Sequence, residues 1–182
     1  MKHLVIDPTH SDLGFKIRHL MVSNVKGTLT DYSGGMSYTS EDMSDAQIRF
    51  EAEVKSISTG NSDRDTHLNG EDFFNIERFP KMYFESTYLN LTDGKMRGEM
   101  TIKDTTRTID LEVEYNGKST DPWGNTKHGF EISGVINRSD FDLTWNATLE
   151  TGGVLLSDEV RLNLDVQMME LAGEMEPQSE MA

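Results

Sequence analysis

The sequence predicts an all-β protein, an antiparallel barrel of about eight strands with one short helical insertion. Apolar and polar residues alternate with a period of two through most of the chain, as they do in strands with one buried and one solvated face. Turn sequences such as Asp93-Gly94 separate the alternating runs and favour hairpins. One segment, residues 61–77, lacks the alternation and begins with helix-capping residues.

The strands are predicted from runs in which apolar residues recur at every second position, with residues 25–33 as a further run. Polar turn sequences at 104–106, 116–117, 122–125 and 151–153 connect the later runs, so a meander is expected. The sets predicted to share one face are Leu13, Phe15, Ile17 and His19; Ile48, Phe50, Ala52 and Val54; Met82, Phe84 and Ser86; Met96, Gly98, Met100 and Ile102; Ile109, Leu111, Val113 and Tyr115; Phe130, Ile132, Gly134 and Ile136; and Val160, Leu162, Leu164, Val166 and Met168.

The non-alternating segment is predicted to be helical. Asn61 or Ser62 is placed to cap its start, and Asp63 and Asp65 in the first turn favour the positive end of the helix dipole. Gly70 is expected to divide the segment into two short helical pieces. A helix between two strands favours a barrel over a sandwich, because it can plug one open end.

A barrel of about eight strands has an interior just wide enough for side chains or one small ligand. A chain of 182 residues is long enough to bury such a core in one domain, predicted to span residues 1–171. Residues 172–182 include Glu174, Glu176 and Glu180 and no basic residue, so they are predicted to form a disordered acidic tail.

Composition argues against several classes of function. The formal charge of −15 argues against nucleic-acid binding and disfavours an anionic membrane surface. The absence of cysteine excludes disulfides and thiol chemistry. No apolar run has the length of a membrane helix or of a secretory signal, so we expect no stable membrane insertion and a cytoplasmic location.

Several stretches of the sequence are also found in a known family. The most specific is R-D-T-H-L at 64–68, followed closely by D-F-F-N-I at 72–76. With these motifs the chain resembles the YceI-like family of lipocalin-like proteins that bind polyisoprenoids. The other matching stretches are I-D-P-T-H-S at 6–11, V-K-G-T-L at 25–29, S-I-S-T-G at 56–60, F-P-K-M-Y-F-E-S-T at 79–87, G-E-M-T-I-K at 98–103 and I-N-R-S-D-F at 136–141.

The resemblance implies a lipocalin-like barrel with an apolar tunnel, often in a homodimer, that holds a long isoprenoid chain. It implies binding, sequestration or transport of such a lipid. Because the residues show neither a catalytic motif nor a known metal signature, we expect no enzymatic activity and no cofactor. Two positions depart from the family's pattern, since Asp104 and Asp142 stand where Gly is usual. Asp tolerates unusual turn backbone, so the fold is expected to survive. The change at Asp142 bears on a loop near the barrel mouth and thus on ligand choice.

The predicted ligand-binding residues combine inward strand positions with polar residues near the insertion and at one strand end. The aromatic and Met side chains among them suit a tunnel for an irregular apolar chain, and equally a packed core. The full predicted set is Phe15, Ile17, His19, Phe50, Val54, His67, Phe74, Met82, Phe84, Met100, Leu111, Phe130 and Arg138.

Structural roles remain open for two arginines. Arg64 and Asp65 suit an ion pair or a helix cap that fastens the insertion. Arg138 ends an inward-alternating strand, and a buried Arg needs a partner. Asp65, Asp72 and Asp140 are the candidate carboxylates.

Metal binding and catalysis have weaker support. His10, His19 and His67 are possible ligands for zinc, copper or iron, but their spacing matches no known signature. Ser62, Asp65 and His67 are close in sequence, yet no G-x-S-x-G motif accompanies them. Three hypotheses follow: a carrier of apolar chains, an enzyme or a metal- or haem-binding protein acting on a ligand in the same cavity, and a barrel with a filled centre that makes only protein contacts.

Overall fold

The computed structural model describes residues 1–172, and within them the chain forms eleven strands, one α-helix and three 3-10 turns. The helix α1 spans Ser62–Asn69, and the 3-10 turns span Pro8–His10, Val54–Ser56 and Arg138–Phe141. The strands are β1 (Lys2–Ile6), β2 (Asp12–His19), β3 (Ser23–Leu29), β4 (Tyr32–Tyr38), β5 (Gln47–Glu53), β6 (Ile57–Ser58), β7 (Lys81–Asn90), β8 (Lys95–Ile102), β9 (Thr105–Thr120), β10 (Thr126–Asn137) and β11 (Leu156–Glu170). The predicted tail lies outside the described residues except for Ala172.

Eight of the strands close into an antiparallel barrel. The ring runs β4, β5, β7, β8, β9, β10 and β11, and β1 closes it by pairing with both β4 and β11. The prediction of an eight-stranded antiparallel barrel with one short helix is confirmed. Strands β2, β3 and β6 extend the sheet from β11.

Strand β11 pairs with two successive segments of the N-terminal chain. Its last residues pair with β1, where Leu4 lies opposite Glu170, and its earlier residues pair with β2, where Leu13 lies opposite Leu164. The 3-10 turn Pro8–His10 joins β1 to β2.

The carboxylate of Asp7 holds this turn against the barrel. It accepts hydrogen bonds from the Thr9 backbone N–H at 3.1 Å and the Thr9 hydroxyl at 2.6 Å, and lies 2.9 Å from His10 Nδ1. Lys127 Nζ on β10 donates to it at 3.0 Å. The Thr9 hydroxyl, His10 and Lys127 keep the pKa of Asp7 well below its usual range.

We expect Asp7→Asn to lower the free energy of unfolding at pH 7 by about 1–2 kcal/mol, because charge-assisted hydrogen bonds are lost. The Asp7 pKa is lower in the folded than in the unfolded chain, so its contribution is complete above the unfolded value of about 4 and declines as pH falls below it. Urea unfolding at pH 7 and pH 3 measures this. An equal deficit at both pH values would contradict the assignment.

The helical insertion is shorter than predicted. Asn61 caps α1 by accepting a hydrogen bond from the Arg64 backbone N–H at 3.0 Å, and Gly70 ends the helix. The predicted second helical piece is wrong, because residues 71–74 and 76–78 form turns instead. These turns bury Phe73, and Asn75 has a positive φ of 50°, which no right-handed helix contains.

One further local prediction needs correction. Residues 25–33 are not one strand, because β3 ends at Leu29 and β4 begins at Tyr32. In the link between β8 and β9 the positive φ, 59°, falls on Lys103 and not on Asp104. Asp142 does adopt the left-handed conformation, with φ 59° and ψ 29°, as expected for a position where Gly is usual.

Inward-facing glycines accommodate large side chains of neighbouring strands. A Cβ on Gly98 would lie 2.4 Å from Cζ of Phe84, and a Cβ on Gly27 would lie 2.4 Å from Cζ of Phe15. Each phenylalanine ring therefore occupies the space beside the adjacent strand that a side chain on the glycine would fill.

A buried polar cluster lies at the end of the barrel where β4 and β11 finish. His128 is 2% exposed, and its Nδ1 lies 2.7 Å from the Tyr115 hydroxyl. Among residues 1–172 its Nε2 has no hydrogen-bond partner; it is 3.6 Å from Glu170 Oε2, while Glu170 pairs with Lys2 at 2.8 Å. Burial lowers the pKa of His128, and the Glu170 carboxylate only partly offsets this.

This environment predicts an acid-sensitive fold. The unfolded chain binds a proton at His128 more readily than the folded chain, so stability should fall as pH drops below the unfolded histidine value of about 6.5. In His128→Gln we expect a smaller loss of stability between pH 7 and pH 5 than in the wild type. Thermal unfolding at pH 8, 7, 6 and 5 checks this. Parallel curves for the two proteins would show that His128 does not set the pH dependence.

Candidate functional site

An apolar cavity of about 380 Å³ occupies the centre of the barrel. This volume falls within the range of ligand pockets, about 300–1,000 Å³. Its walls are the inward side chains of the barrel strands together with residues from α1 and from the segment between β10 and β11. The centre of the barrel is therefore not filled by its own side chains. This argues against the hypothesis of a barrel with a filled centre that makes only protein contacts.

Twelve of the thirteen predicted ligand-binding residues line this cavity. These residues come from strands, from α1 and from turns, so several elements together form the cavity wall. Their role in ligand binding stays a prediction. Val54 does not line the cavity; it is 1% exposed in its own 3-10 turn and packs in the core. The twelve are Phe15, Ile17, His19, Phe50, His67, Phe74, Met82, Phe84, Met100, Leu111, Phe130 and Arg138.

The cavity reaches solvent at the end that carries α1. Strand β5 starts opposite Ser37, at the end with the His128 cluster, and finishes at the other end, from which the chain continues into α1. Arg64 and His67 of α1 line the cavity and are themselves exposed. We call this the mouth, formed by Thr59, α1 and residues 142–156.

Arg64 and Asp65 fasten α1 to the mouth, but not through an ion pair with each other. Both bond to Thr59: Arg64 Nε donates to the Thr59 hydroxyl at 2.7 Å, and Nη2 donates to the Thr59 carbonyl at 3.1 Å. The Asp65 carboxylate accepts from the Thr59 backbone N–H at 3.0 Å and its hydroxyl at 2.6 Å. The predicted ion pair is wrong, because consecutive helical residues point in different directions and each reaches Thr59 separately.

His67 lies between aromatic rings at the mouth. Its ring meets Phe73 edge-on at 5.0 Å and Trp145 edge-on at 4.8 Å, measured between centroids. His67 Nε2 is 2.8 Å from Asp72 Oδ2. These contacts fix the ring orientation and join α1 to the segment after β10.

Arg138 is 6% exposed, and its partners are backbone carbonyls. Nε donates to the Ser157 carbonyl at 2.9 Å, and Nη1 donates to the carbonyls of Leu143 at 2.8 Å and Trp145 at 2.7 Å. The predicted carboxylate partners Asp65, Asp72 and Asp140 are wrong. Burial lowers the pKa of Arg138, and the nearby Asp158 carboxylate opposes the shift.

The three histidines proposed as metal ligands are not brought together. His10 lies beside Asp7, whereas His67 lies beside Asp72 at the mouth. In the part of the chain that the structure describes, no group of three or more His, Asp or Glu side chains is arranged to hold a metal ion.

Residues 4–168 match the family model described as a YceI-like domain. The chain belongs to the YceI-like family. A UPF0312 protein of Staphylococcus epidermidis is 38% identical over 162 residues, covering 88% of this chain and 94% of the relative.

Solved structures show the same barrel. A mutant YCEI protein of Campylobacter jejuni, crystallised with a monobromobimane guest, is 34% identical, with a TM-score of 0.70 over 93% of this chain and 96% of that one. BcnA of Burkholderia cenocepacia is 18% identical, with a TM-score of 0.76 over 89% and 98%. A polyisoprenoid-binding domain from Saccharophagus degradans is 13% identical, with a TM-score of 0.64 over 91% and 97%. The last two likenesses concern the fold alone.

Sequence reasoning missed several cavity residues of this YceI-like chain. Trp145, Leu143 and Leu155 lie in the segment between β10 and β11, where no alternation marks an inward position. Arg138 bonds to the carbonyls of Leu143 and Trp145, and the Leu155 N–H donates to the Ala147 carbonyl. No local sequence pattern reveals these contacts. Leu89 was missed because a bulge between Ser86 and Tyr88 shifts the alternation of β7 by one residue.

Charge is distributed unevenly between surface and cavity. The chain has 32 acidic and 17 basic residues, yet no Asp or Glu among the described residues lines the cavity. Its ionisable lining residues are His19, Arg64, His67 and Arg138. Among the described residues, no helix is both long and apolar enough to cross a bilayer.

Proposed function

We propose that this YceI-like protein binds one long apolar chain of the isoprenoid type inside the barrel and carries or sequesters it. The observation that carries this proposal is the central cavity, whose lining is apolar along the strands and polar only around the mouth. A head group would lie near Arg64 and His67, and the chain would run towards Phe130 and Met168. The polyisoprenoid-binding domain of Saccharophagus degradans, a protein of the same fold, supports this choice of ligand.

Burial of the chain supplies enough free energy for binding. Each buried methylene-sized group contributes about 0.8 kcal/mol, so one five-carbon unit contributes about 4 kcal/mol. Association costs about 4–15 kcal/mol. A few buried units therefore offset this cost without a specific polar contact. Affinity should depend on chain length more than on the head group.

Titration of delipidated protein with prenols of increasing length tests the proposal. We expect affinity to rise with each added isoprene unit until the cavity is full, and prenols and prenyl amides of equal length to bind similarly. The recovered ligand should have an unchanged mass. Binding governed by the head group alone would contradict the proposal, and a chemically altered ligand would favour the enzymatic alternative.

We also propose that the protein acts as a cytoplasmic homodimer. Support for the dimer comes from the family resemblance. Sedimentation at several salt concentrations measures the dimer, and a monomer under all conditions would reject it.

A further inference from the structure

The hairpin between β2 and β3 presents apolar side chains to solvent at its tip. Leu20, Met21 and Val22 are 40%, 61% and 78% exposed. Leu20 and Met21 have φ angles of 53° and 60°, a left-handed conformation that Gly or Asn usually adopts in such turns. Large apolar residues here strain the backbone without gaining burial among residues 1–172, so packing within the described part of the chain does not explain them. We call residues 20–22 the tip.

The tip is held in place beside the cavity mouth. The Leu20 backbone N–H donates to the Leu155 carbonyl at 2.9 Å, and the Val22 N–H donates to the His19 carbonyl at 3.2 Å. His19 and Leu155 both line the cavity, and Val154, next to Leu155, is 45% exposed. An apolar surface thus continues from the cavity wall to the outside of the protein.

A basic patch covers the outward face of the same hairpin. Arg161 lies opposite Lys16, and Lys16 lies opposite Lys26, so three cations are aligned across β11, β2 and β3, with Arg18 two residues nearer the tip. All four are exposed, and none has a carboxylate partner within 4.0 Å among residues 1–172. Like charges on facing strands destabilise a sheet. In a chain of charge −15 this local excess of positive charge is unexpected.

We propose that the tip and the basic patch dock the protein on a bilayer that contains anionic phospholipids, with the tip among the outer acyl chains. The apolar side chains of the tip match the acyl chains of such a bilayer, and the clustered Lys and Arg match its anionic head groups. If the protein carries an apolar ligand, as proposed above, docking would let that ligand pass between the bilayer and the cavity beside the tip. Docking itself does not require a bound ligand.

The net charge does not prevent this docking. The screening length is about 8 Å at physiological ionic strength, so the bilayer senses mainly the charges nearest to it. A second copy of the chain fits the patch poorly, because a two-fold contact would place Lys16 and Lys26 against the same cations.

Cosedimentation of the full chain with vesicles, without added ligand, tests the proposal. We expect binding to vesicles of equal parts phosphatidylcholine and phosphatidylglycerol, and little binding to phosphatidylcholine alone. The double variants Met21→Ser with Val22→Ser, and Lys16→Glu with Lys26→Glu, should each weaken binding at least about tenfold. Trp123→Ser, which changes an 83% exposed side chain in the β9–β10 turn, should bind like the wild type.

A dye at the tip gives a second readout. Because the chain has no cysteine, Val22→Cys can be labelled at one site with an environment-sensitive fluorophore. We expect a blue shift on addition of the anionic vesicles, and none for a label at Ser119→Cys in β9. Equal binding to both vesicle types, loss of binding only in Trp123→Ser, or a tip variant that changes the oligomeric state without vesicle binding would each overturn the proposal. If the protein takes up prenols from solution but binds no vesicles, the docking proposal is wrong and the proposed function stands.

Discussion

Replacing Ile132 with Trp is expected to abolish binding of long prenyl chains while the barrel remains folded. Ile132 lies in the middle of β10, opposite Val113 and Leu164, and all three line the cavity. A larger ring at this point removes space for at least one isoprene unit. Since one unit contributes about 4 kcal/mol, affinity should fall by at least about 100-fold. Titration with a long prenol measures the effect.

The neighbouring residue provides a matched control. Glu131 is exposed on the outward face of the same strand, so Glu131→Trp adds the same ring without entering the cavity. We expect its prenol affinity to match the wild type. If both variants bind normally and remain folded, the ligand does not occupy the centre of the barrel.

Arg138→Ala is expected to lower the free energy of unfolding by about 3–5 kcal/mol. The guanidinium donates to the carbonyls of Ser157, Leu143 and Trp145, and its removal leaves these acceptors without their donors in a buried site. The segment that carries Trp145 should loosen, so prenol binding should weaken as well. Urea unfolding measures the stability, with Arg107→Ala as the control.

Arg107 is exposed, and its side chain donates only to the carbonyl of the adjacent Thr106 among the described residues. Its replacement should change stability by less than about 0.5 kcal/mol. A similar small effect at Arg138 would mean that water can replace the guanidinium and that the three bonds do not organise the mouth.

The strand pattern was predictable because each barrel strand has one face towards the cavity and one towards water. Phe15, Met100 and Ile132 line the cavity where the period-two pattern placed them. The pattern failed where the ladder is irregular. The bulge after Ser86 turns Leu89 inward and leaves Tyr88 50% exposed.

The mouth was less predictable, because tertiary hydrogen bonds determine it. Arg64 and Asp65 were correctly assigned to fastening the insertion, but their shared partner Thr59 was not identified, because its place in the S-I-S-T-G stretch does not show which side chains bond to it. Arg138 bonds to backbone carbonyls, which carry no sequence signal at all. The Arg138 bond to the Trp145 carbonyl helps to place Trp145 at the cavity, so its position there was not predictable either.

Net charge was a poor guide to the surface. The net charge describes the whole sequence, but it does not show that Lys16, Lys26 and Arg161 are aligned on adjacent strands. That alignment depends on the register of β2 with β3 and β11, which the alternation alone does not fix. The homodimer and the cytoplasmic location stay predictions.

Native mass spectrometry of the full chain, purified without detergent and then extracted with organic solvent, tests the central claim most directly. The cavity predicts an excess mass equal to one lipid per chain, released on extraction, with a hydrocarbon part built from five-carbon units. After extraction, incubation with a long prenol should restore a single bound mass. A chain that carries no lipid and takes up no prenol while its barrel remains folded would contradict the account.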